Sequence, residues 1–291
     1  MKTTYPTEFT IAEPSKTEFA KASQAFLSTG KIPELLLQCF DQNGIWLGES
    51  PASEYVDPAA YEMLEEMSIP EERRSITNDR GESILLTSYI VECSSSHTIP
   101  WHEIRGMFRI DTGSDLNAPN LKRLSPYYVS DINALTTSLP ELLNVHSMLI
   151  TTYQLAIPKL EWAVDLTIFY VPILIAEQLE TVGILRINGV KRATFPELRN
   201  VHEHLEGSQL WEFVAPKLES VNRDTDGWEG LILSNAGFII TPRLTFVGNR
   251  LDSRSAEHFY LPKLYVEGQW DIHPMARKNY AREKKRGSSY L

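Results

Sequence analysis

The residues best suited to chemistry lie in a short histidine-containing stretch in the second half of the chain. His202 and His204 alternate with Glu203, and Glu206 follows two residues later. Alternate side chains of a β-strand project from one face, so His202, His204 and Glu206 could reach one divalent metal ion. Surface polar clusters of this kind are usually just solvated, and we therefore predict no metal site.

A second group of candidate ligands is acidic. Asp224, Asp226 and Glu229 could offer oxygen atoms to calcium, but their spacing does not follow an EF-hand loop, and an acidic surface loop is the alternative. Cys39 and Cys93 are far apart and have no histidine that the sequence places beside them. We expect them to be small buried side chains rather than nucleophiles or a disulfide.

The common catalytic motifs are missing from the sequence. It contains no phosphate-binding glycine-rich loop, no G-x-S-x-G, no H-E-x-x-H and no C-x-x-C. We therefore expect no catalytic residue and no cofactor. The expectation is weakest for residues 1–95, where a separate activity stays open.

The elements that must position any functional residue are set by an internal repeat. A proline, replaced once by Glu177, stands at positions 100, 119, 140, 158, 177, 196, 216, 242 and 262. From position 119 onward, the residue two places after this anchor is always leucine, and the residue five places after it is apolar in every unit but the last. The leucines are Leu121, Leu142, Leu160, Leu179, Leu198, Leu218, Leu244 and Leu264. The fifth-place residues are Leu124, Val145, Ala163, Val182, Val201, Val221 and Val247, while Val266 stands beside the expected place in the last unit.

Several units add an alternating apolar pair eight and ten places after the anchor, which predicts a short strand with one buried face. The pairs are Phe108 and Ile110, Tyr127 and Val129, Met148 and Ile150, Leu166 and Ile168, Leu185 and Ile187, and Trp270 and Ile272. A coil of about twenty residues cannot bury its own leucines, whereas stacked coils share one core and contribute one strand each to a parallel sheet. The proline fits at a bend, since it cannot donate to the sheet.

The spacing and the P-x-L-x-x-V core resemble the short bacterial leucine-rich repeats of the form L-P-x-L-x-x-V-x-x-x-L-x-I. Residues 176–187, AEQLETVGILRI, and residues 215–221, APKLESV, carry the resemblance. It implies an α/β protein: a leucine-rich-repeat solenoid of about nine coils over residues 96–275, with a curved parallel β-sheet. It also implies a bacterial or phage origin.

Two units depart from the repeat. The unit that begins at Pro216 carries an insertion. The units at Pro196 and Pro216 place His204, Asp224 and Asp226 where apolar strand residues are expected to point inward. Asparagine does not recur at one coil position, so the resemblance does not extend to a buried asparagine ladder.

Residues 1–95 carry no repeat and are predicted to form a small α/β cap or domain before the solenoid. Apolar spacing predicts a helix over 17–28, and an aspartate and proline at 57–58 predict the start of a second helix that continues through 61–67. An Asn-Gly pair at 43–44 predicts a hairpin between two apolar segments of 33–48. Residues 84–92 are predicted to form a strand after a turn at 78–81.

The C-terminal tail, residues 276–291, is opposite in charge to the rest of the chain. The chain has a net charge of −10, and since residues 277–291 contribute +5, the remainder carries −15. An acidic body disfavours duplex binding there, while the tail could contact nucleic acid, or could be an ordinary solvated terminus. The candidate contacts are Arg277, Lys278, Arg282, Lys284, Lys285 and Arg286.

Targeting signals and membrane spans are not evident. The first residues lack a basic segment followed by an apolar one, and the longest apolar run, near 166–175, is interrupted by Pro172. The use of only two cysteines fits a reducing compartment. We expect a cytoplasmic protein without membrane contact, or one delivered into a host cell without a Sec-type signal.

The surface best suited to binding is the outer face of the repeat strands. If the residues eight and ten places after the anchor point inward, their neighbours point out, and aromatic and arginine side chains there are typical interface anchors. The predicted contact residues are Arg109, Tyr128, Asp165, Thr167, Phe169, Arg186, Asn188 and Glu203.

The sequence favours a non-enzymatic repeat protein that binds another protein by shape and charge complementarity, as an inhibitor, adaptor, immunity factor or effector. Two alternatives stay open. One is an enzyme or toxin with its chemistry in residues 1–95 and the repeats as a targeting module. The other is an acidic nucleic-acid mimic or a binder that uses the basic tail.

Overall fold

A computed structural model describes residues 15–37, 55–67, 75–86, 88–124, 128–222, 230–233, 236–253, 258–260 and 264–272. The chain divides into two compact units. The first contains residues 1–90 and 100–108, and the second contains residues 91–99 and 109–291.

The first unit contains three helices, α1 (Lys16–Thr29), α2 (Glu34–Leu37) and α3 (Pro58–Met67). Helix α1 confirms the helix predicted over 17–28. At its start, the Ser15 backbone N–H and hydroxyl donate to the Glu18 carboxylate over 2.7 and 2.9 Å, and these bonds lower the pKa of Glu18. At its end, Gly30 adopts a left-handed conformation with φ 66°. Helix α3 confirms the second predicted helix, and the Asp57 carboxylate accepts the Ala59 N–H over 2.9 Å.

The strands of the first unit pack against these helices. β1 (Ser75–Thr77) and β2 (Ser83–Leu85) are antiparallel, and the predicted turn between them is confirmed by the Gly81 N–H, which donates to the Asn78 carbonyl over 3.0 Å. The predicted strand over 84–92 is interrupted, since β2 ends at Leu85 and β3 spans Tyr89–Cys93. β5 (Glu103–Ile104) runs parallel to β2. The side chains of Phe19, Phe26, Ile32, Leu36, Leu37, Leu64, Ile76 and Ile84 form a buried core.

The hairpin predicted within 33–48 is wrong in its first segment, because residues 34–37 form helix α2. Four consecutive residues, ELLL, bury their leucines on the helical core rather than on alternate faces. The Asn-Gly pair at 43–44 lies outside the described residues.

The second unit is a β-solenoid of about eight turns, built from parallel strands. Each full coil contributes one long strand to a sheet that we call the main sheet. Its strands are β6 (Phe108–Thr112), β8 (Arg123–Leu124), β9 (Val129–Asn133), β11 (Asn144–Thr151), β13 (Trp162–Phe169), β15 (Thr181–Asn188), β17 (Asn200–Ser208), β19 (Ser220–Val221), β20 (Leu231–Ile232), β22 (Phe246–Ser253) and β24 (Tyr265–Ile272).

Strands β8 and β9 both pair with β11 and are therefore two segments of one interrupted long strand. Strands β19 and β20 both pair with β17 and β22 and form a second interrupted long strand.

After each long strand from β6 to β22 the chain turns and forms a short strand that joins one of two further parallel sheets. The first short sheet contains β4 (His97–Thr98), β7 (Asp115–Asn117), β10 (Thr136–Ser138) and β12 (Gln154–Ala156). The second short sheet contains β14 (Ile173–Ile175), β16 (Arg192–Thr194), β18 (Glu212–Val214), β21 (Phe238–Ile240) and β23 (His258–Tyr260). The predicted parallel-sheet solenoid is thus confirmed, and in the described coils the segment that returns from the main sheet is a short strand.

The interior is made by the repeated apolar positions. All eight leucines that follow the anchors are buried, as are the seven residues at the fifth place. The inward pairs are confirmed where both side chains are described: Phe108 and Ile110, Met148 and Ile150, Leu166 and Ile168, and Leu185 and Ile187 are buried. The side chains of Trp270 and Ile272 lie outside the described set.

The pair predicted at Tyr127 and Val129 is wrong. β9 begins only at Val129, which is 56% exposed, and the buried residues of this strand are Ser130 and Ile132. Ser130 pairs with Met148 and Ile132 with Ile150, so the inward row continues through this coil three residues later in the sequence than the count from Pro119 predicts. Tyr127 lies outside the described residues.

The inward position predicted for His204 is also wrong, because β17 contains one additional residue. Val182 pairs with Val201, but the next pair joins Ile184 to His204, so the additional residue falls at 202–203 beside Gly183. Leu205 then pairs with Leu185, and Leu205 and Gly207 occupy the interior.

No described helix is both long and apolar enough to cross a bilayer.

Candidate functional site

The outer side chains of the main sheet form a ladder surface, which we call the main-sheet face. Parallel pairing in register aligns them in three rows across neighbouring strands. The first row contains Val129, Ser147, Asp165, Ile184 and His204. The second contains Arg109, Asp131, Leu149, Thr167, Arg186, Glu206, Ile232 and Asp252. His204 in the first row and Asp252 in the second are buried, and the other members of these two rows are at least partly exposed. The third contains Asp111, Asn133, Thr151, Phe169, Asn188 and Ser208.

Five of the predicted contact residues form one patch on the adjacent strands β13 and β15. Thr167 pairs with Arg186, and Phe169 pairs with Asn188. The Arg186 guanidinium donates to the Asp165 carboxylate over 3.2 Å, and the Thr167 hydroxyl donates to the same carboxylate over 3.3 Å. All five side chains are partly exposed. The patch therefore combines an aromatic ring, an ion pair and two hydrogen-bonding groups on a rigid ladder.

Polar contacts extend this patch across the face. The Ser208 hydroxyl donates to the Asn188 side-chain oxygen over 2.7 Å. On the other side, Asn133 donates to the Asp111 carboxylate over 3.0 Å, and Arg109 lies 3.8 Å from Asp131. Each contact joins neighbouring strands, so the face carries its own network of paired side chains.

The other three predicted contact residues lie apart from the patch. Arg109 is in the second row, on β6, and two strands, β9 and β11, separate it from β13. Tyr128 precedes β9 and is outside the three rows. Glu203 is exposed and lies where β17 carries its additional residue. His204 therefore occupies the row position that was predicted for Glu203.

The histidine-containing stretch forms a pair with a buried member. The His204 side chain is 4% exposed, and its Nε2 lies 3.4 Å from the Glu206 carboxylate. His202 is half-buried. Within the described ranges, no group of three or more His, Cys, Asp or Glu side chains is arranged to hold a metal ion.

The remaining candidates divide between described and undescribed residues. Cys93 is a free, half-buried thiol that donates to the Ser95 carbonyl over 3.2 Å. The predictions for Cys39, for the acidic residues Asp224, Asp226 and Glu229, and for the basic tail from Arg277 to Arg286 fall outside the described residues.

The sequence reasoning missed a second surface, the outer face of the short strands. In the first short sheet the outer residues of β7, β10 and β12 are Asp115, Asn117, Thr136, Ser138, Gln154 and Ala156. In the second short sheet the outer residues of β14, β16, β18 and β21 are mostly apolar: Ile173, Ile175, Arg192, Thr194, Glu212, Val214, Phe238 and Ile240. The signal was present in two wholly apolar triplets, ILI at 173–175 and FII at 238–240.

Two aromatic side chains extend this apolar face at the turns before the short strands. Trp211 is 61% exposed, and its ring lies 5.5 Å from that of Phe238 and against Gly237. Tyr170 has φ 63°, and its ring covers Gly189, where a Cβ atom would approach it to 2.9 Å. Both rings therefore lie on backbone that carries no side chain.

Comparisons of the chain with protein-family models, with curated proteins and with solved structures found no significant match.

Proposed function

We propose that the chain is a non-enzymatic repeat protein of the short bacterial leucine-rich type, which binds another protein through the main-sheet face. The observation that supports this function is the contiguous patch of Asp165, Thr167, Phe169, Arg186 and Asn188 on two paired strands. Arginine and aromatic side chains are the usual anchors of protein interfaces. A parallel ladder presents them without the entropy cost of ordering a loop.

The charge of the face supports a basic protein as the partner. Its rows contain the carboxylates of Asp111, Asp131, Asp165, Glu206 and the buried Asp252 but only two guanidinium groups, those of Arg109 and Arg186. A basic protein surface complements this excess, and the strongly negative body of the chain attracts such a partner over a longer range. The proposed action is steric: the chain covers a functional basic surface of its partner, as an inhibitor, adaptor, immunity factor or effector.

Origin and location are part of the same proposal. The repeat type favours a bacterial or phage protein. The scarcity of cysteine favours a reducing compartment, the cytoplasm of the producing cell or of a host cell.

An affinity capture with matched variants tests this function. The full-length chain is immobilised, and proteins retained from a lysate are compared between wild type, Arg186→Glu and Phe169→Ala. We expect both variants to lose the specific partner, because each removes an anchor of the patch. Once the partner is identified, titration calorimetry should show affinity reduced about tenfold or more for each variant.

The controls carry the same chemical changes away from the main-sheet face. Lys159→Glu reverses a cation that is paired with Glu141 over 2.7 Å, and Tyr153→Ala removes an aromatic side chain that is 64% exposed in a turn. Both should retain the partner at the wild-type level. Equal recovery by all five proteins would show that the patch is not the binding site.

A further inference from the structure

We propose that the outer face of the second short sheet is a self-association surface, through which two copies of this chain form a symmetric dimer. The proposal concerns four adjacent strands, β14, β16, β18 and β21, and it is independent of the partner that binds the main-sheet face. It rests on the order of side chains across these strands, which is self-complementary.

The first row of outer residues across the four strands is Ile173, Arg192, Glu212 and Phe238. The second row is Ile175, Thr194, Val214 and Ile240. Over these four strands each row begins and ends with a large apolar residue, and the pairing of β21 with β23 continues the two rows to His258 and Tyr260, which lie outside the four-strand interface. The two central residues are of opposite charge in the first row and of similar small size in the second.

A twofold axis that lies between two face-to-face sheets, parallel to the strands and midway between β16 and β18, reverses the strand order. It places β14 opposite β21 of the second copy and β16 opposite β18. Ile173 then faces Phe238, Ile175 faces Ile240, and Thr194 faces Val214 across the interface. Arg192 of each copy faces Glu212 of the other. A closed twofold interface requires this correspondence of one surface with itself.

The exposure of the end residues shows what the dimer would bury. Ile173 is 58% exposed, Ile175 48% and Ile240 37%. The Arg192 and Glu212 side chains are 57% and 25% exposed, and their 2.6 Å contact is within one chain. In a face-to-face arrangement at about 10 Å between sheets, each guanidinium gains a second carboxylate. The first short sheet, with its polar outer residues, offers no such apolar ends.

The size of the surface sets the expected strength. Four strands at about 4.8 Å spacing and three residues of about 3.3 Å give a flat footprint of about 20 by 10 Å, to which Trp211 and Tyr170 add at one margin. This is smaller than the roughly 800 Å² per partner of a standard stable interface, so the dimer should be weak and concentration-dependent.

Sedimentation velocity of the full-length chain from about 1 µM to about 500 µM tests the proposal, since weak association falls in this range. Wild type should shift from monomer toward dimer as concentration rises. A wild-type chain that stays monomeric throughout the range would overturn the proposal. The apolar face would then be covered by another protein or by another segment of the chain.

Charge reversal tests the arrangement. Arg192→Glu and Glu212→Arg, each alone, should remain monomeric, because each variant brings two like charges together across the interface. An equimolar mixture of the two variants should dimerise, since the introduced glutamate of one chain then faces the introduced arginine of the other, and the unchanged Glu212 faces the unchanged Arg192. The contact within each chain stays repulsive in this mixture, so recovery of the dimer reports the contact between chains alone.

Two further variants separate this face from other surfaces. Ile175→Glu should abolish dimerisation, because it buries a charge against Ile240 of the second copy. Leu135→Glu places the same charge at a 48% exposed residue outside the second short sheet and should leave dimerisation unchanged. A mixture that fails to dimerise, or an Ile175→Glu variant that still does, would overturn the proposal. Circular dichroism of each variant verifies that the solenoid is folded.

Discussion

The two outer faces of the solenoid differ although they belong to the same coils. On the main-sheet face the residues are largely polar and are paired with one another, as Arg186 is with Asp165. On the second short sheet the outer residues of β14 and β21, at the two ends of the four-strand surface, are isoleucine or phenylalanine, and Ile173 and Ile175 are strongly exposed. One coil therefore presents a charged surface on one side and an apolar surface on the other.

This difference shows what the repeat constrains. Stacking of coils requires apolar side chains only at inward positions, which alternate with outward ones along every strand. The outward residues are free of that requirement, so each face can serve a different contact. We propose a basic protein partner for the charged face and a second copy of the chain for the apolar face.

The main sheet and the short strands are expected to cover one shared hydrophobic interior. Truncation of core side chains beneath each face tests this expectation. Phe213 lies beneath the short-sheet face, between Glu212 and Val214, with its ring 5.8 Å from that of Phe195. Leu205 lies beneath the main-sheet face. Phe213→Ala should lower the free energy of unfolding by about 3–5 kcal/mol, and Leu205→Ala by about 2–5 kcal/mol, because each leaves a cavity.

Urea unfolding followed by circular dichroism measures both losses. Tyr153→Ala, which removes a 64% exposed ring, should change the free energy of unfolding by no more than about 0.5 kcal/mol. If Phe213→Ala cost no more than this control while Leu205→Ala unfolded the chain, the short strands would not share the core of the main sheet.

A smaller effect should come from a glycine that belongs to the main sheet alone. A Cβ atom on Gly183 would lie 2.5 Å from the Val164 carbonyl oxygen of the neighbouring strand, at the place where β17 carries its additional residue. Gly183→Ala should therefore force the strands apart and lower the free energy of unfolding by about 1–3 kcal/mol, as overpacking does.

Gly113→Ala is the matched control, since a Cβ atom there meets nothing within 4 Å. The same urea experiment should leave its free energy of unfolding within about 0.5 kcal/mol of wild type. Equal free energies of unfolding for both variants would mean that the strands beside Gly183 can move apart without loss of stability. The irregular register of the main sheet would then tolerate a side chain at this position.

The inward residues were predictable from the sequence because one residue type recurs at a fixed distance from the anchor. Errors arose where the distance changes. Val129 was placed inward because the count from Pro119 does not include the offset that brings Ser130 and Ile132 inside. His204 was placed inward because the count from Pro196 does not include the additional residue of β17. A count from the anchor cannot detect such an insertion, whereas the pairing of neighbouring strands absorbs it locally.

The outer surfaces were less predictable. Alternation places Asp165, Thr167 and Phe169 on the outside, and Arg186 and Asn188 likewise, but only the pairing of β13 with β15 shows that the five residues are neighbours. The short strands were missed altogether. Each has at most three residues, and in β14, β16 and β18 only the central one is buried, which is too short for a periodic signal.

The smallest expected effect concerns the ion pairs of the two faces. The Arg186 and Asp165 side chains are 33% and 29% exposed, and solvent screens their attraction. A double-mutant cycle with Arg186→Ala and Asp165→Ala should give a coupling energy of about 0.2–1 kcal/mol, which decreases in about 1 M salt. The corresponding cycle for Arg192 and Glu212 should give a similar value at concentrations where the chain is monomeric.

The two cycles together separate binding from stability. If both pairs contribute so little to folding, the charges on each face are available to a partner at small cost to the fold, and the contrast between the faces concerns recognition. A coupling energy above about 2 kcal/mol that does not respond to salt would instead identify the Arg186 and Asp165 pair as a structural element of the main sheet. In that case the Arg186→Glu variant would lose its partner through damage to the ladder, and the apolar face would be the better-supported of the two contact surfaces.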